Sequence, residues 1–239
     1  MNLLLLSNST NFGSSYLEHC ASHIDEFLGD QREVLLIPYA AVNYSFEEYE
    51  SMAQNAMSVF GITVKSIHHF EDPIEAIQNA KAVAVAGGNT FRLLQQLYDL
   101  NIIDVLRSRV ESGVPYIGWS AGSNVAGQTI CTTNDMPIVQ PRSFDSFGFV
   151  KAQLNPHYTD RLIEEHQGET RSQRITEYTQ LNPESIVIAL PEGSWIQFKQ
   201  NKWNYHSDEK MVVFKKGEPI RYLNSAEASE WLNDSLFTR

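Results

Sequence analysis

Short runs of Leu, Ile and Val alternate with longer amphipathic stretches through the first half of the chain, the pattern of βαβ units around a parallel sheet. Residues 2–7, 33–38, 62–67, 81–86 and 115–119 read as strands. Between them, 14–28, 45–60, 72–79 and 90–112 carry helical periodicity, the last broken near Asn101. Asp72-Pro73 supplies a helix N-cap followed by a first-turn proline. Right-handed crossovers then put helices on both faces of the sheet. Beyond about residue 185 the spacing changes: 185–190, 195–199, 211–215 and 219–223 are placed like antiparallel hairpins, and 225–236 like a closing helix. The expected fold is α/β and flavodoxin-like, a mainly parallel sheet with antiparallel hairpins towards the C-terminus. No Pro/Gly-rich linker, repeat or low-complexity tract divides the chain, so residues 1–239 are expected to form a single domain.

Composition narrows the function. The 239 residues are 42% hydrophobic and 20% charged, which fits a globular protein, and 18 Lys+Arg against 29 Asp+Glu leave a net charge of -11. Such a surface repels phosphate backbones and anionic leaflets, so neither nucleic acid nor membrane is an expected partner. No apolar run approaches the ~18 residues of a membrane span, and the N-terminus has no signal-peptide pattern, which makes cytoplasm the expected location. Cys20 and Cys131 are far apart and lack zinc-like spacing; both are expected to be buried thiols.

The sharpest local signal is Gly118-Trp119-Ser120-Ala121-Gly122, directly after a predicted strand. Glycines on both sides relieve the crowding of a sharp strand-to-helix turn, so that the Ser120 Oγ can project above the sheet as a nucleophile. The alternative is a plain glycine-flanked helix cap. A second turn, Ala86-Gly87-Gly88-Asn89-Thr90, follows another strand and should line the same crevice at the carboxyl ends of the strands. Gly88 N–H and Ala121 N–H are then the candidate oxyanion donors, and Asn89 a substrate-orienting residue. The turn lacks the spacing and the lysine of nucleotide-binding loops.

Of seven histidines, His157 is the candidate base, because Asn155-Pro156 ahead of it should form a strand-exit turn that positions the imidazole. His19, His23, His68 and His69 are expected to be solvated or internally satisfied, His166 to lie on a helix face and His206 in a hairpin. Two carboxylates could orient the imidazole. Asp135 follows Thr132-Thr133-Asn134 and gives the chain order Ser, Asp, His, whereas Glu192 follows a strand in Pro191-Glu192-Gly193-Ser194. Spacing does not separate them.

These blocks, with the opening Leu-Leu-Leu-Leu-Ser-Asn-Ser, Ile37-Pro38-Tyr39-Ala40, Leu154-Asn155-Pro156-His157-Tyr158, Gly168-Glu169-Thr170-Arg171 and Leu190-Pro191-Glu192-Gly193, resemble the peptidase E (α-aspartyl dipeptidase) family through most of the chain. The resemblance implies a fold related to class I glutamine amidotransferases and a metal-independent, cofactor-free serine peptidase releasing N-terminal aspartate from short peptides, chiefly dipeptides. It implies Ser120 as nucleophile and His157 as base, with Asp135 or Glu192 as the acid. Selectivity for an acidic substrate on so acidic a protein requires a fixed local cation, for which Arg171 is the candidate and Arg174 its competitor. The alternatives are an esterase or cyanophycin-type peptidase, or a non-catalytic small-ligand-binding module on the same fold.

Overall fold

Leu3, Leu4, Leu5 and Leu6 are all completely buried, as a central parallel strand covered on both faces demands. They form β1 (Asn2–Leu6), followed by α1 (Ala21–Leu28), β2 (Glu33–Ile37), α2 (Phe46–Ser58), β3 (Thr63–Ser66), α3 (Pro73–Asn79) and β4 (Val83–Val85). Next come α4 (Thr90–Asp99), α5 (Ile103–Glu111), β5 (Pro115–Trp119) and the short α6 (Ala121–Asn124). An irregular stretch leads to β6 (Gln153–Tyr158), α7 (Arg171–Leu181), β7 (Ile186–Pro191), β8 (Trp195–Lys199), β9 (Lys202–His206), β10 (Met211–Lys215), β11 (Arg221–Leu223) and α8 (Ser225–Leu236). This computed structural model describes residues 1–161 and 167–236. His166, expected on a helix face, lies outside them.

The first sheet has seven strands in the order β3-β2-β4-β5-β1-β8-β9. Its first five are parallel, while β8 and β9 add an antiparallel edge. Apolar side chains of α3, α4 and α5 pack on one face with Leu3 and Leu5; those of α1 and α2 pack on the other with Leu4 and Leu6. The mainly parallel α/β architecture is therefore as expected. The later strands are not all edge strands of that sheet: β11-β10-β7-β6 form a second, four-stranded sheet, with β6 parallel to β7. Ser7, at the end of β1, joins the two sheets, donating its N–H to Ser194 O (2.9 Å) and its hydroxyl to Leu190 O (2.8 Å). One core cluster holds Val85 and Ile117's neighbour Tyr116 from the first sheet together with Ile188 and Val213 from the second.

Two local expectations need correction. The 14–28 helix starts only at Ala21 after a 3-10 turn, because Leu17 sits at φ 57°. The segment at Asn155-Pro156-His157 is not a turn leaving a strand but part of β6 itself, with the β6–β7 register shifting between Asn155 and Tyr158. Proline donates no ladder hydrogen bond, so it fits such an irregularity. Among the described residues no helix is long and apolar enough to cross a membrane.

Candidate active site

The carboxyl ends of β1, β4, β5, β6 and β7 converge on Ser120. The serine adopts φ 53° and ψ -112°, a backbone region that costs a non-glycine residue about 1–3 kcal/mol. Its neighbours hold it there. Ser120 N donates to Leu6 O (3.2 Å), and its carbonyl accepts from Ser123 N (3.0 Å) and Asn124 N (2.9 Å). The flanking glycines are required by packing: a Cβ on Gly122 would meet Val85 O at 2.0 Å, and one on Gly118 would meet Gly122 O at 2.5 Å. Gly122→Ala should consequently destabilise the fold by about 3 kcal/mol, the upper end of ordinary overpacking costs, measurable by denaturant unfolding. A loss under ~1 kcal/mol would show that β4 and α6 can separate without penalty.

His157 Nε2 lies 2.9 Å from Ser120 Oγ, and its Nδ1 lies 2.8 Å from Glu192 Oε1. These contacts form a continuous Ser-His-Glu chain. His157 is itself held at φ 54°, with its N–H donating to Ser7 Oγ (2.9 Å) and its carbonyl accepting from Arg171 Nη1 (3.2 Å). On the other side, Asn8 Oδ1 accepts from Gly193 N (2.7 Å), tethering the turn that presents Glu192. Ser7 and Asn8, buried directly beyond β1, were not singled out from sequence. Two polar residues ending a buried parallel strand at the sheet's carboxyl edge were the available signal.

Asp135 is elsewhere. Its Oδ2 accepts from Thr90 N (2.7 Å), Thr90 Oγ1 (2.6 Å) and Thr133 Oγ1 (3.2 Å), fastening its loop to the start of α4. Of the two candidate acids, the structure brings Glu192 to His157, and Asp135 only to the cleft wall. Asn89 is likewise engaged, its Oδ1 capping α4 through Arg92 N (3.0 Å) and its Nδ2 donating to Met136 O (2.8 Å). That use makes it a holder of the glycine turn rather than a free side chain in the cleft.

Gly87 and Gly88 lie against the serine. A Cβ on Gly87 would come within 3.0 Å of Ser120 Cβ, and Gly88, at φ 132°, would place one 2.3 Å from Ala40 O. Tyr49 Oη anchors this turn by donating to Gly87 O (2.8 Å). Neither Gly88 N–H nor Ala121 N–H donates a hydrogen bond among the described residues, so both are available to a developing oxyanion.

A cleft of about 190 Å³ opens beside Ser120 and His157, walled by Thr90, Asn124, Thr133 and Arg171. It is smaller than the roughly 300–1,000 Å³ of drug-sized pockets. Thr170 caps α7 through Gln173 N, leaving Arg171 as the first helical residue. Burial, and then Arg174 nearby, pull the Arg171 guanidinium below its ordinary pKa. A cation at a helix N-terminus also opposes the macrodipole. No carboxylate pairs with Arg171 among the described residues, whereas the more exposed Arg174 reaches Glu169 at 3.7 Å. Arg171, with no carboxylate partner among the described residues, thus lines the cleft, whereas Arg174 is 69% exposed.

The sequence model of peptidase family S51 matches residues 3–205. The chain belongs to peptidase family S51. Among its S51 relatives, peptidase E of Haemophilus influenzae is 44% identical over 205 residues, 85% of this chain and 94% of its own. Peptidase E of Nostoc sp. is 43% identical over 217 residues, 90% of each chain. The fold also matches that of a peptidase from an acI-B1 Actinobacterium, with a TM-score of 0.71 at 19% identity over 95% of both chains. The resemblance read from the sequence blocks is thereby borne out. This S51 chain is a peptidase, hence a hydrolase, and its substrates are peptides.

Proposed function

We propose that the chain is a serine dipeptidase that removes an N-terminal aspartate, acting as a single-domain enzyme in the cytoplasm. The observation that carries this reading is the Ser120–His157–Glu192 chain of hydrogen bonds opening on a small cleft lined by an arginine that pairs with no carboxylate among the described residues. Ser120 Oγ attacks the aspartyl carbonyl as His157 Nε2 takes its proton, and Glu192 accepts the Nδ1–H of the imidazolium. Ala121 and Gly88 N–H groups stabilise the tetrahedral oxyanion. The C–N bond then breaks, with His157 protonating the leaving amine, and water hydrolyses the aspartyl-enzyme by the same steps reversed. Asp135 and Asn89 act as positioning residues that hold the cleft wall and the glycine turn. The exposed, unpaired thiol of Cys131, found where a buried one was expected, fits a reducing compartment; Cys20 is buried, which pushes its thiol up to about 12.

Hydrolysis across Asp-X, Glu-X, Asn-X and longer Asp-initiated peptides tests the reading. Asp-Leu should be cleaved at least ~100-fold faster than Asn-Leu in kcat/KM, since a site built to pair a carboxylate rejects the neutral isostere. Equal rates on both would remove the aspartate specificity. An esterase would show itself by cleaving a neutral ester and no peptide.

Arg171 is the proposed ligand of the aspartate side chain. Removing one partner of a buried charge pair costs ~2–5 kcal/mol, so Arg171→Ala should lower kcat/KM for Asp-Leu by roughly thirty-fold to a few thousand-fold. Arg171→Lys should not restore it, because an ammonium lacks the planar two-pronged grip. An equal loss on a neutral ester would instead mean that Arg171 acts through its bond to His157 O.

Ser7 is assigned a positioning role. In Ser7→Ala the part-buried N–H of His157 loses its acceptor, a penalty of up to about 1–3 kcal/mol, and the strained backbone that aims the imidazole is freed to relax. The expected result is a kcat about 10–100-fold lower with KM little changed. A KM effect with intact kcat would place Ser7 in substrate binding instead.

A further inference from the structure

Beyond the catalytic cleft, the end of β3 carries a second cluster of chemically capable side chains. His68 and His69 occupy the turn that follows Ser66, facing Glu47 and Glu50 on the first turns of α2. The two acids are three apart and so share a helix face. His69 Nε2 lies 2.6 Å from Glu50 Oε2, and His68 Nε2 lies 3.3 Å from Glu47 Oε1. One donor atom each from Glu50, His68 and His69 fall within 4.8 Å of one another. Glu48, between the acids, is spent on the capping box with Ser45.

Ser66, completely buried, organises the cluster from behind. Its N–H donates to Glu50 Oε1 (2.8 Å), and its Oγ lies 2.6 Å from His68 Nδ1. When Nδ1–H is given to Ser66, the Nε2 lone pair of His68 is open to a metal ion on the side of the Glu47 carboxylate. That nitrogen is shielded from solvent and makes no hydrogen bond of acceptable geometry. A divalent cation held by that lone pair would also be attracted to the Glu47 carboxylate. The Phe46 ring packs against His68, with centroids 5.6 Å apart, and restrains it.

We propose that Glu50, His68 and His69 bind one divalent transition-metal ion of the Zn²⁺ type, with water or Glu47 in the fourth position. Two imidazoles and a carboxylate suit that class of ion, and a hydrogen bond behind a ligand is the usual second layer of such sites: two of the three have one here, Ser66 Oγ behind His68 and Ser66 N–H behind Glu50. Tetrahedral bonds of about 2.0–2.2 Å separate ligand atoms by roughly 3.4 Å. The His69–Glu50 contact therefore opens by under an ångström as the metal replaces the shared proton. The site is structural, tying the edge strand β3 to α2, and is separate from the Ser120 chemistry.

Metal-free full-length protein titrated with Zn²⁺ by calorimetry, and with Co²⁺ by visible absorption, tests the assignment. One equivalent should bind at micromolar or lower Kd, with Co²⁺ giving the intense d–d bands of a four-coordinate site. Ser66→Ala should weaken binding about 10–100-fold. His69→Asn, at a side chain 40% exposed, should abolish it while Asp-Leu turnover stays at the wild-type rate. Undiminished stoichiometric binding in His69→Asn would overturn the assignment and direct attention to the ring cluster of His23 and His206. Saturation of the wild type only at millimolar Zn²⁺ would overturn it as well.

Discussion

Ser120→Ala, His157→Ala and the double variant should all fall to the same residual kcat, about 10⁴–10⁶ below the parent enzyme. The reason is geometric. Ser120 Oγ and His157 Nε2 are 2.9 Å apart, and in the proposed mechanism the proton that leaves one arrives at the other, so either loss would remove the same step. The residual rate belongs to what both variants keep: the Ala121 and Gly88 amides, the Arg171 guanidinium and the bound orientation of the peptide. Both variants should fold, because each truncates a side chain without touching the glycine contacts or the bonds that the backbone N–H groups of the two strained residues donate to Ser7 Oγ and Leu6 O. Steady-state kcat on Asp-Leu for the three variants decides. A double variant slower by the product of the two single losses would mean that the residues act independently.

Glu192→Gln should be the next most damaging change, lowering kcat by between about 10² and 10⁴. An amide at this position can offer its N–H to Nδ1 and stabilise the tautomer whose Nε2 carries the hydrogen, which cannot take a proton from Ser120. The upper limit applies to a buried acid. The Glu192 side chain is 61% exposed, so water already screens part of its interaction with the imidazolium, and the tautomer effect dominates what remains. Asp135→Asn makes the contrasting case. Its carboxylate fastens Thr90 and Thr133 and does not reach His157, so the expected loss is a helix-cap cost of about 0.5–2 kcal/mol in stability with a kcat change under ~10-fold. Measured kcat for the two amides separates the roles, and a severe loss in Asp135→Asn beside a mild one in Glu192→Gln would reverse them.

The two acids also show where sequence reading stops. Each sits in a polar turn, and either could have pointed at His157, because turn acids carry no periodicity that fixes their direction. What separates them is tertiary: Thr90 and Thr133 converge on one, while Asn8 tethers the turn of the other. The five parallel strands and their helices were legible because buried strands read as continuous apolar runs and helices as amphipathic ones. The break at Asn101 was legible too, since Asn tolerates the positive φ of 54° it adopts. The second sheet was not. Asn155-Pro156 reads as a turn leaving a strand, whereas β6 runs through it with an irregular pairing to β7 that accommodates the proline. Nor was the buried pair Ser7 and Asn8, whose importance depends on β6 and β7 arriving from more than a hundred residues away.

The central claim, that Ser120 is an activated nucleophile, is tested most directly by intact-mass analysis after incubation with a serine-directed phosphonate. One label per chain should form on the wild type, be absent from Ser120→Ala, and form far more slowly on His157→Ala, where the serine keeps its hydroxyl but has no base. Labelling of Ser120→Ala at the wild-type rate, or an enzyme that hydrolyses Asp-Leu while its Ser120 stays unmodified under saturating reagent, would contradict the account.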